Sequence, residues 1–464
     1  MPALHERIAA VRAALPDAPV DALARFIAAG PEEHLYRTSP LRWADTAGVS
    51  DQVAVDLFVH AAHAGLFEMD WGIVCPGCGA FLKSAEGLLT LRLAHCPVCD
   101  IDLPPAADEN VEVGFTVAPS VRAIRLHEPA SLDIRRELGA LYFSPSAVWA
   151  SPLLGALQAT TIDAGVVAPG SEVVVDVELS PGTCILLSPT THRSLRLNVG
   201  SGPANVTLEQ VDGNLLGGGT GIAAGRVQMT LRNRDLRPLS WILFPDPVPP
   251  PELRAMMPPL VLQRPLTGRH LLTTQSFRDL FRAASVPADG GLSFRALTVL
   301  FTDLRGSTAL YEAEGDINAW GLVRAHFGVL KDAVRTRGGA VVKTIGDAVM
   351  ASFADPREAL SAAACMHRDV ESLDSRLALK IGLHTGPCLA VELNDRLDYF
   401  GSTVNLAARV QNAAREREIT CTDAVMQAAG VSELVAGWSP AREMAVLKGF
   451  DGMVPVTHLQ PPIG

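Results

Sequence analysis

Between Pro245 and Pro265 the chain reads PDPVPPPELRAMMPPLVLQRP, and no regular helix or central strand can run through such a stretch. Each proline fixes φ and removes a backbone donor, so the segment reads as a semi-rigid linker. It divides the chain into parts with different hydrophobic periods. At 464 residues the chain is also too long for one ordinary core, and two to four domains are expected.

Residues 1–70 are rich in alanine and leucine at helical spacing, with Val53, Leu57, Ala61 and Ala64 recurring every three to four positions and ending near Gly65. Over 106–244 the period becomes two. Val173, Val175, Val177 and Leu179 alternate with Val174, Asp176 and Glu178; Leu195, Leu197 and Val199 behave likewise, as do Val227, Met229 and Leu231. Turn signals at Asp212-Gly213-Asn214, Gly217-Gly218-Gly219 and Asn233 punctuate these runs, and a β-sandwich or small barrel is the expected fold. After the linker, Leu271, Leu272, Phe277, Leu280 and Phe281 share one helical face. This helix reads either as a cap on the next core or as a coupling element, and it is grouped with the linker as 245–290.

Two cysteine pairs, Cys75-Pro76-Gly77-Cys78 and Cys96-Pro97-Val98-Cys99, lie 17 residues apart within 71–105. That spacing matches a zinc ribbon, in which two tight knuckles present four thiolates to a closed, structural zinc site. Iron or a redox dithiol are the alternatives. His95 reads as a bystander, and Cys184, Cys365, Cys388 and Cys421 as small apolar residues.

The net charge of −11 argues against general nucleic-acid binding, which needs a basic surface. The start of the chain has no secretory pattern, and no apolar run approaches a membrane span. Cysteines used for metal rather than disulfides fit a reducing compartment, so a cytoplasmic location is expected.

From 291 to 464 strands and helices alternate, as in an α+β or α/β domain. The apolar strand Leu297–Phe301 runs into Thr302-Asp303-Leu304-Arg305-Gly306-Ser307-Thr308. A carboxylate at a strand end, followed by a glycine turn into a helix, suits a phosphate–metal site: the acid holds the cation while backbone N–H groups meet phosphate oxygens. A hairpin then carries Lys343-Thr344-Ile345-Gly346-Asp347, which could set Asp347 beside Asp303. Either aspartate alone reads equally well as a turn or helix cap. Asn405 and Arg409 are four apart and share a helix face.

These segments, with Ile381-Gly382-Leu383-His384-Thr385-Gly386 and the run from Asp398 to Arg409 (DYFGSTVNLAAR), resemble the signature segments of class III adenylate and guanylate cyclases. The resemblance implies a ferredoxin-like catalytic domain, active as a homodimer with its sites at the subunit interface. It implies that Asp303 and Asp347 bind two divalent cations, magnesium or manganese, and that Leu304, Gly306, Ser307 and Thr308 meet the phosphates. It assigns Asn405 to the ribose and Arg409 to the phosphates in the transition state. Lys343 and Asp398 are the base-recognising pair, and they complement adenine: the amine suits N1 and the carboxylate suits N6. Guanylate cyclases typically place Glu and a small residue or Cys there, so ATP is the expected substrate. Ser307-Thr308 departs from the Phe-Thr of many relatives, and Lys448 lacks the usual context after it.

The order of helical segment, CPGC…CPVC and β-rich region resembles N-terminal regions fused to some bacterial cyclases. The expectation is thus an α+β multidomain chain, comprising a helical segment, zinc ribbon, sandwich-like sensor for an unknown ligand or protein, linker and cyclase domain. A catalytically silent nucleotide-binding or dimerisation module and a guanylate cyclase are the alternatives.

Overall fold

The computed structural model describes residues 2–83, 93–106, 108–148, 153–217, 221–246, 260–281, 292–305, 316–393 and 396–462. The heart of the proline-dense linker (247–259), Gly218, Gly219, and the turn residues Gly306, Ser307 and Thr308 lie outside them. The chain forms two compact units whose membership does not follow linear order. One contains Met1–Val49, Ala64–Pro105 and Glu112–Leu266; the other contains Ser50–His63, Ala106–Val111 and Thr267–Gly464.

In the first unit the alternating segments are strands, and the alternation decides which face is buried. In Glu172–Leu179, Val177 and Leu179 point inward while Asp176 and Glu178 face solvent. A five-stranded sheet and a four-stranded sheet share one core, with Leu186, Leu197 and Leu243 from the former meeting Leu208, Val227, Met229 and Leu231 from the latter. This is sandwich packing. A smaller three-stranded sheet has Phe67–Val74 between Phe81–Lys83 and Val111–Val117.

The second unit starts with a helix taken from far upstream, α1 (Asp51–His63), then the short helices α2 (Gly268–Leu272) and α3 (Gln275–Leu280). Next come β1 (Leu292–Arg305), α4 (Asp316–Thr336), β2 (Ala340–Ile345), β3 (Ala348–Phe353), α5 (Pro356–Leu373) and β4 (Ala378–Leu393). The chain ends with β5 (Arg396–Phe400), α6 (Ser402–Ala413), β6 (Glu418–Thr422), two single-turn helices, β7 (Ser439–Val446) and β8 (Met453–Gln460).

The strands form one eight-stranded sheet in the order β2-β3-β1-β4-β6-β8-β7, with β5 pairing β4 at the side. The β1-α4-β2-β3-α5-β4 portion has the β-α-β-β-α-β connectivity of ferredoxin-like folds. Proline at N1 and the Asp355 carboxylate, which accepts the Arg357 N–H at 2.8 Å, start α5. Its apolar face, Leu360, Ala363, Met366 and Val370, packs with Leu330 and Val334 of α4 and with Leu300, Leu379, Ile381 and Leu383 of the sheet. Among the described residues no helix is long and apolar enough to cross a membrane.

Candidate functional site

The site grows from the central strand. Phe301 of β1 pairs with Met350 of β3 in antiparallel register. Asp303 lies just beyond Phe301 and Asp347 just before β3, so the pairing carries both carboxylates to the same end of neighbouring strands. The buried Thr302 hydroxyl accepts the Val349 N–H at 3.0 Å and pins the two elements at that end. Gly346 turns the β2–β3 hairpin with φ of 63°, a left-handed conformation glycine adopts without a Cβ clash. Asp303 remains partly exposed, and the Arg305 guanidinium lies 3.7 Å from its carboxylate. Leu304 buries its side chain in the core, which leaves its backbone as the part able to meet a ligand.

His326 of α4 is fully buried against the Asp347 turn. Burial pulls its imidazole down to about 4, against an opposing pull from the backbone and charge of Asp347. A lone histidine inside a long helix gives no sequence signal of this placement.

Lys343 and Asp398 come together although 55 residues separate them, with Nζ 2.5 Å from Oδ2. The β2–β3 register shifts between Val341 and Lys343. Such a bulge inserts a residue and re-aims the side chains that follow it. Asp398 is nearly buried, and its other oxygen accepts the Tyr399 N–H at 2.8 Å. That bond fixes the carboxylate and leaves the ammonium partly open to solvent.

Asn405 and Arg409 lie exposed on α6. The glycines of the Ile381–Gly386 segment explain how α6 lies so close to β4. A Cβ at Gly382 would sit 2.2 Å from the Gln411 backbone nitrogen, and one at Gly386 would sit 2.7 Å from Thr403 Oγ1. Only glycine permits both approaches. Thr403 also donates to the Pro387 carbonyl at 2.6 Å, tying the first turn of α6 to β4.

The second constellation belongs to the first unit. The sulfurs of Cys75, Cys78, Cys96 and Cys99 all lie within 4.8 Å of one another. The two knuckles share one geometry. Gly79 N–H donates to the Cys75 carbonyl and Asp100 N–H to the Cys96 carbonyl, each at 2.8 Å, and both donors have positive φ. Hydrogen bonds among the sulfurs lower the thiols of Cys75 and Cys96 and raise those of Cys78 and Cys99. A tetrahedral metal with bonds of about 2.3 Å needs sulfurs about 3.8 Å apart, and four sulfurs within 4.8 Å of one another could hold one ion. His95 instead meets Asp102 at 2.9 Å.

Residues 1–279 match the model of a family of unknown function (DUF5939), and residues 292–436 match that of the adenylate and guanylate cyclase catalytic domain. An adenylate cyclase of Mycosarcoma maydis is 31% identical over 156 residues, 28% of this chain and 6% of that protein. A pH-sensitive adenylate cyclase of Mycobacterium tuberculosis is 32% identical over 188 residues, 40% of this chain and 45% of that one. The chain therefore spans less than half the length of the relatives it matches. Among solved structures, the adenylyl cyclase CyaB from P. aeruginosa aligns with 36% of this chain and 95% of its own, at 23% identity and a TM-score of 0.32. Residues 292–436 thus carry the match to the adenylate and guanylate cyclase catalytic domain, and through residues 1–279 this chain belongs to the family of unknown function (DUF5939).

Proposed function

We propose that the chain is an adenylate cyclase that converts ATP to 3′,5′-cyclic AMP and pyrophosphate as a homodimer, under control of its N-terminal region. The juxtaposition of Lys343 and Asp398 is the observation that carries the choice of ATP. An amine beside a fixed carboxylate offers a donor to adenine N1 and an acceptor to the N6 amino group, whereas guanine would leave both mispaired.

Asp303 and Asp347, at one end of adjoining strands, suit hard divalent cations. Two magnesium or manganese ions bound there would neutralise the triphosphate and ease ionisation of the ribose 3′-hydroxyl. The backbone of Leu304, Gly306, Ser307 and Thr308 would meet phosphate oxygens. Asn405 would orient the ribose. Arg409, a planar and permanently charged donor, would meet the charge that builds as the 3′-oxygen attacks the α-phosphorus and pyrophosphate leaves.

In a twofold dimer Asp303 and Asp347 of one subunit would face Lys343, Asp398, Asn405 and Arg409 of the other. Exposed apolar side chains support a second copy as the partner: Phe400 precedes α6, and Val446 lies opposite Met453 on the edge hairpin. We assign structural zinc to the four thiols and a cytoplasmic location to the chain. The first unit would receive the input from an unknown ligand or protein. The test is cyclic nucleotide production by the full chain with Mn-ATP and Mn-GTP, beside Asp303→Ala. Cyclic AMP that disappears in the variant supports the reading. Product from GTP alone makes it a guanylate cyclase, and no product from either leaves a silent module.

A further inference from the structure

The residues around the base-recognising pair are held from outside the sheet. Among the described residues β2 is an edge strand, with no strand paired to the side facing away from β3. At the bulge that aims Lys343, the Val341 N–H donates instead to Oε1 of Gln275 on α3, at 2.8 Å. Gln275 is buried, and its amide group is oriented by Asp279, which accepts from Nε2 at 2.9 Å. One turn along, Arg278 donates through Nη2 to the Leu397 carbonyl and lies over the Tyr399 ring, 5.5 Å from its centroid. The Tyr399 hydroxyl donates back to the Leu272 carbonyl of α2 at 3.1 Å. Leu397 and Tyr399 are the two neighbours of Asp398. One short helical segment therefore grips the chain beside both members of the pair.

That segment is itself held by α1. Ser276 donates to Oδ1 of Asp56 at 2.6 Å, while Gln52 donates to Oδ2 of the same carboxylate at 3.0 Å. His63 meets the Phe281 ring edge-on at 5.7 Å. Both ends of α1 continue directly into the first compact unit, at Val49 and at Ala64.

We infer that Gln275 and Arg278 are positioning residues that set the spacing of Lys343 and Asp398, and that α1 sets α3 through the Asp56–Ser276 bond. This rests on the adenylate cyclase reading for what the pair binds. Any shift of α1 imposed at its two ends moves α3, and α3 moves the strand segments on either side of the base. Selection of ATP thus becomes the quantity that the N-terminal region controls.

The test uses the full chain and the variants Arg278→Ala, Arg278→Lys, Gln275→Ala and Asp56→Ala. It reads KM and kcat for Mn-ATP and Mn-GTP and, separately, equilibrium affinity for N-methylanthraniloyl-ATP and -GTP. Arg278→Ala and Gln275→Ala are expected to raise the KM for ATP about tenfold and to lower the ATP-to-GTP preference by a similar factor. The change in kcat should be smaller, Arg278→Lys should recover part of the preference, and Asp56→Ala should shift it the same way by less. A variant whose kcat falls while KM and the preference stay constant has merely lost folded enzyme, and that outcome overturns the inference. Absence of turnover in the unaltered chain sinks the cyclase reading instead. The affinity ratio then still decides the positioning role: an equal ratio in Arg278→Ala and the unaltered chain overturns it, as does no binding by either.

Discussion

Nζ of Lys343 and Oδ2 of Asp398 are 2.5 Å apart, the lysine side chain being 42% exposed and the aspartate 11%. A pair so open on one side contributes little to stability, about 0–1 kcal/mol. Its value lies in holding two groups of opposite hydrogen-bonding sense at one spacing. Lys343→Ala and Asp398→Ala should therefore leave Tm within a few degrees of the parent while lowering kcat/KM for ATP by roughly 10- to 100-fold, one charged hydrogen bond each. Steady-state rates beside a thermal melt test this. A large loss of Tm with unchanged nucleotide preference would assign the pair to stability.

Asp303→Asn and Asp347→Asn keep the shape of each side chain and remove its charge. Each is expected to reduce cyclic AMP formation at least 100-fold, with manganese restoring less than a tenth of the parent rate. Removal of divalent cations with a chelator should have the same effect on the parent and be reversed by added metal.

Gly382→Ala tests the close approach of α6 to β4. Its methyl group has no room beside Gln411, so α6 must move outward, carrying Asn405 and Arg409. Such overpacking costs about 1–3 kcal/mol. We expect kcat to fall by more than that loss of stability explains, because misplacement of reacting groups is itself costly. A variant that melts lower but turns over normally would show that α6 tolerates the shift.

The four thiols should bring one zinc per chain through purification, measured by elemental analysis. Cys78→Ser and Cys96→Ser should lose the metal and lower the melting transition of the N-terminal region, since a structural site contributes folding energy directly. A protein that is metal-free yet equally stable would leave the cluster as a dithiol system.

Burial pulls the His384 imidazole down to about 4, and its Nδ1 lies 2.8 Å from the Thr422 hydroxyl. The folded chain thus binds this proton more weakly than the unfolded chain does. The stability it contributes is present above the ordinary value of about 6.5 and is lost as pH falls toward 4. His384→Gln should flatten that part of the stability–pH curve, by on the order of 1–2 kcal/mol at pH 5. Urea melts between pH 7.5 and 4.5 provide the measurement.

Much of the architecture is readable from local chemistry. Alternation at Val173–Leu179 predicts a strand because burial on one face of a sheet has period two, and the strand Glu172–Leu179 follows it. The knuckle glycine at 79 has a local cause as well. What cannot be read is long-range partnership. The apolar face of 51–63 announces that something covers it, but nothing local says that the cover includes a helix more than 200 residues later. His326 is similarly mute, since its meaning comes from the Asp347 turn. Gly382 is intermediate: glycine in a strand signals a close approach without naming what approaches.

The separation of Asp56 from Ser276, 220 residues, has a consequence for synthesis. At about 5–20 residues per second the ribosome needs roughly 10–45 s to deliver α3 after α1 has been made. Throughout that interval Val55, Leu57, Phe58 and Val59, buried in the finished protein, wait for the rest of their unit. The nascent N-terminal region thus carries an apolar helix destined for a unit not yet translated, a substrate for holding chaperones. Cell extracts in which translation is stalled near residue 250 should show that helix bound, and chains released past residue 460 should not.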